Sequence, residues 1–214
     1  MTEKITRVFD CIEYQNSNYP QKEALVYKEK GKWISYSSEE FIKIANQVSS
    51  ALLTLGIKPN DKIAIIVPVN QPKWHFLDIG ILQIGAQNVP LYATLSEKDY
   101  EYVLNHSDSK YCFIAGDDIY EKVNAVKSKT QLKEVYRIDE NSKIGWNSFL
   151  ELGKNKNFIS KIGEIKNSIS PQNIATIIYT SGTTGTPKGV AKVTEGDVLE
   201  GFMEGKSLFK IQIK

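Results

Sequence analysis

The chain has 214 residues, 41% of them hydrophobic and 24% charged, with a formal net charge of +2. That length supports one large domain or two small ones around a substantial core, and so balanced a charge gives no electrostatic ground for nucleic-acid binding. No apolar run reaches transmembrane length, and the N-terminus Met1-Thr2-Glu3-Lys4-Ile5-Thr6 lacks the apolar core of a signal peptide, so the expected location is cytoplasmic.

Single residue types narrow the picture further. Arg7 and Arg137 are the only arginines, which argues against a phosphate-binding surface made of guanidinium forks. Cys11 and Cys112 stand far apart beside apolar neighbours, and both are expected to be buried free thiols in a reducing compartment. His75 and His106 have no partner ligands at metal-site spacing, so no metal site is assigned.

In chain order, Ile5, Val8, Phe9 and Ile12 carry a helical rhythm over 5–17 that ends before Asn18-Tyr19-Pro20. Ala24–Tyr27 and Lys32–Tyr36 read as two strands joined through Gly31. Ser37 and Glu40 have capping-box spacing. Behind them Phe41, Ile44, Ala45, Val48, Ala51, Leu52 and Leu55 form one apolar stripe that Gly56 stops. Pro59-Asn60-Asp61 turns into the apolar strand Lys62–Val67, of the kind buried on both faces. A helix opening at Pro72 runs through Trp74, Leu77, Ile81 and Leu82 to Gly85.

A strand at Asn88–Leu91, a helix opening at Ser96 with Asp99 three residues on, and a strand at Lys110–Ile114 follow. A helix behind Asp117-Asp118 and a strand at Glu134–Ile138 complete the alternation. The expected fold is therefore α/β, a largely parallel sheet flanked by helices. Over 139–170 the pattern loosens: Trp146, Phe149 and Leu150 predict a short helix, and the lysine-rich 153–166 reads as a solvated connection. Trp33, Trp74 and Trp146 are expected to pack in the core, and His75 to serve as a surface or packing residue.

The most informative stretch is Tyr179-Thr180-Ser181-Gly182-Thr183-Thr184-Gly185-Thr186-Pro187-Lys188-Gly189-Val190, directly behind an expected strand at Ile174–Ile178. Its glycines let backbone N–H groups turn inward, and the hydroxyls and Lys188 add donors, which is the chemistry of a polyphosphate cradle. It is not a Walker A loop, because Pro187 stands where that motif's second glycine belongs.

This segment resembles the phosphate-binding signature of the adenylate-forming (AMP-binding) superfamily. Earlier segments are similar to bacterial long-chain fatty-acid–CoA ligases: Gly56–Ala64 with Asn60 for a glycine, Asn70-Gln71-Pro72-Lys73-Trp74 with Lys73 for a glutamate, Ile84–Tyr92, and Ser96–Tyr100. The resemblance covers about residues 5–190. It implies the first part of the large N-terminal domain of an adenylate-forming enzyme. Residues 1–170 would be its first α/β subdomain, 171–190 the strand and phosphate loop that start the second, and 191–214 an atypical tail.

The resemblance further implies the reaction of ATP, a fatty acid and coenzyme A to acyl-CoA, AMP and pyrophosphate, with Mg²⁺. In that reading Thr180, Ser181, Gly182, Thr183, Thr184, Gly185 and Lys188 hold the β- and γ-phosphates, and no residue is assigned a catalytic role. The partners implied are these small molecules and no nucleic acid, and the intact enzyme could associate peripherally with membranes. After Val190 no segment matches the family's adenine-, ribose- or lysine-bearing motifs. The chain by itself is therefore expected to be truncated and inactive. Two alternatives stay open: a short nucleotide-binding or regulatory module, and a fragment of an enzyme adenylating another carboxylic acid.

Overall fold

A computed structural model describes residues 5–154, 158–181, 187–190, 198–203 and 206–212. Helix α1 (Asp10–Asn18) precedes a hairpin of β1 (Leu25–Glu29) and β2 (Lys32–Tyr36), and α2 (Ser38–Thr54) follows. Strands β3 (Lys62–Ile66), β4 (Gln87–Pro90), β5 (Ser109–Ile114) and β6 (Glu134–Arg137) then alternate with α3 (Pro72–Leu82), α4 (Glu97–His106) and α5 (Asp117–Lys127). The four strands form one parallel sheet in the order β4-β3-β5-β6, as expected for an α/β fold of strands joined through helices. Helices α6 (Trp146–Lys154) and α7 (Ile159–Ser168) come next, and two hairpins follow, β7 (Ile178–Ser181) with β8 (Pro187–Val190), and β9 (Val198–Met203) with β10 (Lys206–Gln212).

Because successive strand side chains point to opposite faces, β3 feeds two cores at once. Ile63 and Ile65 join Phe41, Val48, Leu52, Phe76, Phe113 and Phe149 on the face covered by α2, α3 and α6. Ala64 and Ile66 join Tyr100, Leu104, Cys112, Ile114 and Val123 under α4 and α5. Burial pushes the Cys112 thiol well above its usual range, so it behaves as a small apolar core residue.

Local chemistry sets several boundaries. Ser37 accepts from the Glu40 amide at 3.1 Å while the Glu40 carboxylate accepts from the Ser37 amide at 2.8 Å. Ser96 and Asp99 close α4 in the same reciprocal way. Asn60 takes a left-handed φ of 68° in the turn before β3, where an asparagine is among the residues best tolerated.

Some expectations need correction. Helix α1 starts at Asp10, not Ile5, because the Asp10 carboxylate accepts from the Thr6 and Arg7 amides and holds that segment outside the helix. Trp33 is 71% exposed instead of core, since Ile34 and Tyr36 take the inner face of β2 and the period of two turns Trp33 out beside Lys28. Cys11 is exposed, because the helix turns it about 100° from the buried Ile12. Much of the lysine-rich connection is helix α7, which buries Ile162. Lys166 stretches its stem along Phe9 to pair with Glu13, so a lysine taken for solvated chain serves packing. Residues 155–157 of that stretch lie outside the described residues. Helix α3 ends at Leu82, short of Gly85, which takes a left-handed turn into β4.

Asp78 on α3 and Asn88 on β4 form a buried polar pair, with the Asn88 amide donating to the carboxylate at 2.9 Å. The Asn88 carbonyl oxygen Oδ1 is buried and has no partner among the described residues. Burial raises the Asp78 carboxyl above the usual range, and the Asn88 amide offsets this only in part. A carboxyl raised on folding contributes stability that is complete below its unfolded pKa and lost as the pH climbs through the folded one. Asp78→Asn removes that loss and gives Asn88 Oδ1 a donor. The variant should gain about 1 kcal/mol at pH 7, and the gain should vanish in urea titrations below about pH 4.

Candidate functional site

The segment entering the expected phosphate loop is bound to the sheet edge before it turns away. The Asn88 amide donates to the Ala175 carbonyl at 3.0 Å, and the Asn88 carbonyl accepts from the Ile177 amide at 2.9 Å and the Thr176 hydroxyl at 3.0 Å. Thr176 thus makes a single parallel bridge to β4. The strand expected at Ile174–Ile178 instead runs from Ile178 to Ser181, because the backbone finds its continuous partner in β8 and not in β4. Ile177 and Tyr179 turn to the face with α4 and pack into the second core.

Strands β7 and β8 are antiparallel with Tyr179 opposite Gly189, Thr180 opposite Lys188 and Ser181 opposite Pro187. Two of the expected phosphate ligands, Thr180 and Lys188, are therefore cross-strand neighbours. Ser181 occupies the last paired position, and the Thr180 side chain is exposed. Gly182, Thr183, Thr184 and Gly185 lie outside the described residues. Residues 178–190 contain no aspartate or glutamate, so the donor set is one of hydroxyls, backbone amides and an ammonium, suited to an anion and not to a bare cation.

Tyr179 is 5% exposed, and its hydroxyl lies 2.8 Å from His106 Nδ1 at the end of α4. Burial is the main cause raising the Tyr179 phenol above its usual range, with Tyr102 adding to it and a hydrogen bond with the Ser107 side chain offsetting part of it. The two rings meet edge to face at 5.7 Å, and His106 in turn stacks on Tyr102 at 5.5 Å. Nothing in the sequence signals this contact, since the partners are 73 residues apart.

A second concave feature lies beyond the carboxyl end of β3, lined by Val67, Val69, Asn70, Gln71, Trp74 and His75. It adjoins the point where the strand order reverses between β3 and β5, a usual ligand position in open α/β sheets. His75 is exposed there with its ring edge-on to Trp74 at 5.4 Å. Nearby, Lys73 donates to the Ile138 carbonyl at 2.7 Å, and burial lowers its ammonium pKa. Asp139 accepts from the Gly116 amide at 2.8 Å. These polar groups are spent on the protein itself. Among the described residues no cluster of three or more His, Cys, Asp or Glu could hold a metal ion, and no helix is long and apolar enough to cross a membrane.

The profile of AMP-binding enzymes matches residues 12–203. Fatty acyl-CoA synthetase A of Dictyostelium discoideum is 34% identical over 167 residues, 74% of this chain and 24% of that protein. The long-chain-fatty-acid–CoA ligase FadD15 of Mycobacterium bovis is 30% identical over 175 residues, 74% of this chain and 26% of that protein. Among solved structures, a fatty acyl-CoA synthetase of Mycobacterium tuberculosis superposes with a TM-score of 0.64 at 19% identity, over 91% of this chain and 36% of the other. The chain thus spans about a quarter of the length of these curated relatives, and the likeness to the solved structure is one of fold.

Proposed function

The chain belongs to the AMP-binding enzyme family, and from that membership we propose that it supplies the opening part of an AMP-forming long-chain fatty-acid–CoA ligase. The observation that carries this is the match of residues 12–203 to the family profile, with long-chain acyl-CoA ligases among the relatives by sequence. In the complete reaction a fatty-acid carboxylate attacks the α-phosphate of ATP and releases pyrophosphate, and the coenzyme A thiol then displaces AMP. Residues 1–170 form the first subdomain, 171–190 open the second with the phosphate loop, and 191–214 form the tail. The setting is cytoplasmic.

In this reading Thr180, Ser181, Gly182, Thr183, Thr184, Gly185 and Lys188 receive the β- and γ-phosphates. Their work is positioning and charge neutralisation, not covalent chemistry. The register supports it, because it sets two of these residues, Thr180 and Lys188, directly opposite one another across the two strands. With no carboxylate in 178–190, Mg²⁺ would arrive with the nucleotide, where it neutralises phosphate charge, and would not be held by this loop. Lys188 acts as a phosphate ligand and not as the proton- or charge-handling lysine of adenylation.

Inorganic tripolyphosphate, which presents the same anionic oxygens, tests the loop without needing an adenine pocket. Lys188→Ala removes a charge-assisted contact of about 1.5–3 kcal/mol, so calorimetric titration should show about a 10- to 100-fold loss of affinity. Equal affinity in the variant would remove Lys188 from the site.

A further inference from the structure

The last side chain of β7 that the fold buries before Thr180 is Tyr179, and the group that receives its hydroxyl is on a different element. We infer that His106 is a positioning residue for the phosphate-binding hairpin: it fixes Tyr179 and, through the β7–β8 register, the neighbouring Thr180 and Lys188. The inference deepens the proposed phosphate site and rests on that reading for its functional half.

Three observations converge on it. The Tyr179 phenol sits 2.8 Å from His106 Nδ1 while the rings meet edge to face, so the contact fixes both distance and orientation. His106 is itself held, stacked on Tyr102 one turn earlier along α4, and α4 is fixed at its other end by the Ser96–Asp99 capping box. Finally, β7 is a poorly anchored strand. Among the described residues it pairs with β8 alone, and its last backbone bond to the parallel sheet is at Ile177, two residues upstream of Tyr179. A short two-stranded hairpin is marginal without support from a packed face. The Tyr179 ring supplies that support, with its hydroxyl held at the end of α4 by His106 and also meeting the Ser107 side chain.

The histidine is exposed on its outer side, where Lys98, Glu101, Tyr102 and Asn105 flank it. A substitution there is therefore tolerable to the fold. His106→Leu keeps apolar bulk and loses the hydrogen-bonding nitrogen. His106→Asn places an amide close to where Nδ1 stood. Tyr179→Phe removes the same bond from the other side, along with the hydroxyl's contact with Ser107.

The test uses the 214-residue chain, with hydrogen exchange of the peptide containing Ile178–Ser181 and tripolyphosphate affinity measured together. His106→Leu should speed exchange in that peptide by about 5- to 10-fold and weaken tripolyphosphate binding by a similar factor. Exchange in β3 should not change. His106→Asn should restore both, and the double variant with Tyr179→Phe should be no worse than Tyr179→Phe alone, because that change already removes the His106 bond together with the Ser107 one. Wild-type exchange in His106→Leu, or additive effects in the double variant, would overturn the inference. If the wild-type chain has no tripolyphosphate affinity, the phosphate reading fails separately, and the exchange result alone decides whether His106 holds the hairpin.

Discussion

Phe113→Ala should destabilise the domain by about 3–5 kcal/mol in urea unfolding. Phe113 lies in β5, between β3 and β6 in the middle of the sheet, and is fully buried. Its ring meets Phe149 edge-on at 4.7 Å and stacks on Tyr136 at 5.2 Å. Removing it leaves a cavity bounded by two other aromatics and by two neighbouring strands, which cannot close without moving α6. A loss of that size is a large part of the roughly 5–15 kcal/mol that holds a domain folded. Phe113→Leu, which fills most of the space, should cost about 1.5 kcal/mol. A cost below about 1 kcal/mol for the alanine variant would mean that β5 and α6 are not packed as described.

Gly80→Leu should be nearly as damaging, at about 3 kcal/mol or more, for the opposite reason. A Cβ at Gly80 would fall 2.5 Å from Val48 Cγ1 and 2.9 Å from the Ala45 carbonyl oxygen. Helices α2 and α3 approach through this glycine, and Ser49 on α2 donates to the Gly80 carbonyl at 2.7 Å. Any side chain forces the helices apart and strains that bond. Gly163 in α7 provides the contrast, since no atom of the described residues lies within 4 Å of a Cβ built there. Gly163→Ala should raise stability by about 0.5–1 kcal/mol through helix propensity alone. Opposite signs for two helical glycines would show that close approach, not residue type, sets the effect.

What the sequence made legible is what short-range chemistry decides. Ser37 with Glu40, Ser96 with Asp99, the apolar stripe of α2 and the left-handed Asn60 each depend on residues a few positions apart, and each is present in the structure. The parallel sheet followed from strands alternating with helices. Failures arise where a partner far along the chain decides. The face shown by Trp33 depends on which side of the hairpin meets the body. Helix α7 depends on Phe9 and Glu13 receiving the Lys166 stem. The end of the expected strand at Ile178 depends on β8 competing with β4 for the backbone. At the site itself, the phosphate-loop residue types were readable as donors, and the Thr180–Lys188 register follows from the hairpin. The His106–Tyr179 contact had no local signature, because one partner ends a helix and the other lies in a strand that the fold brings to it.

The proposed binding of a polyphosphate by residues 180–188 can be tested by following the backbone amide resonances of the labelled chain during a tripolyphosphate titration. Saturable shifts are expected from Thr180 to Gly189, extending to His106 through Tyr179, and they should be lost in Lys188→Ala. Shifts centred instead on Val67–His75, at the carboxyl end of β3, or no saturable shifts at all, would contradict it.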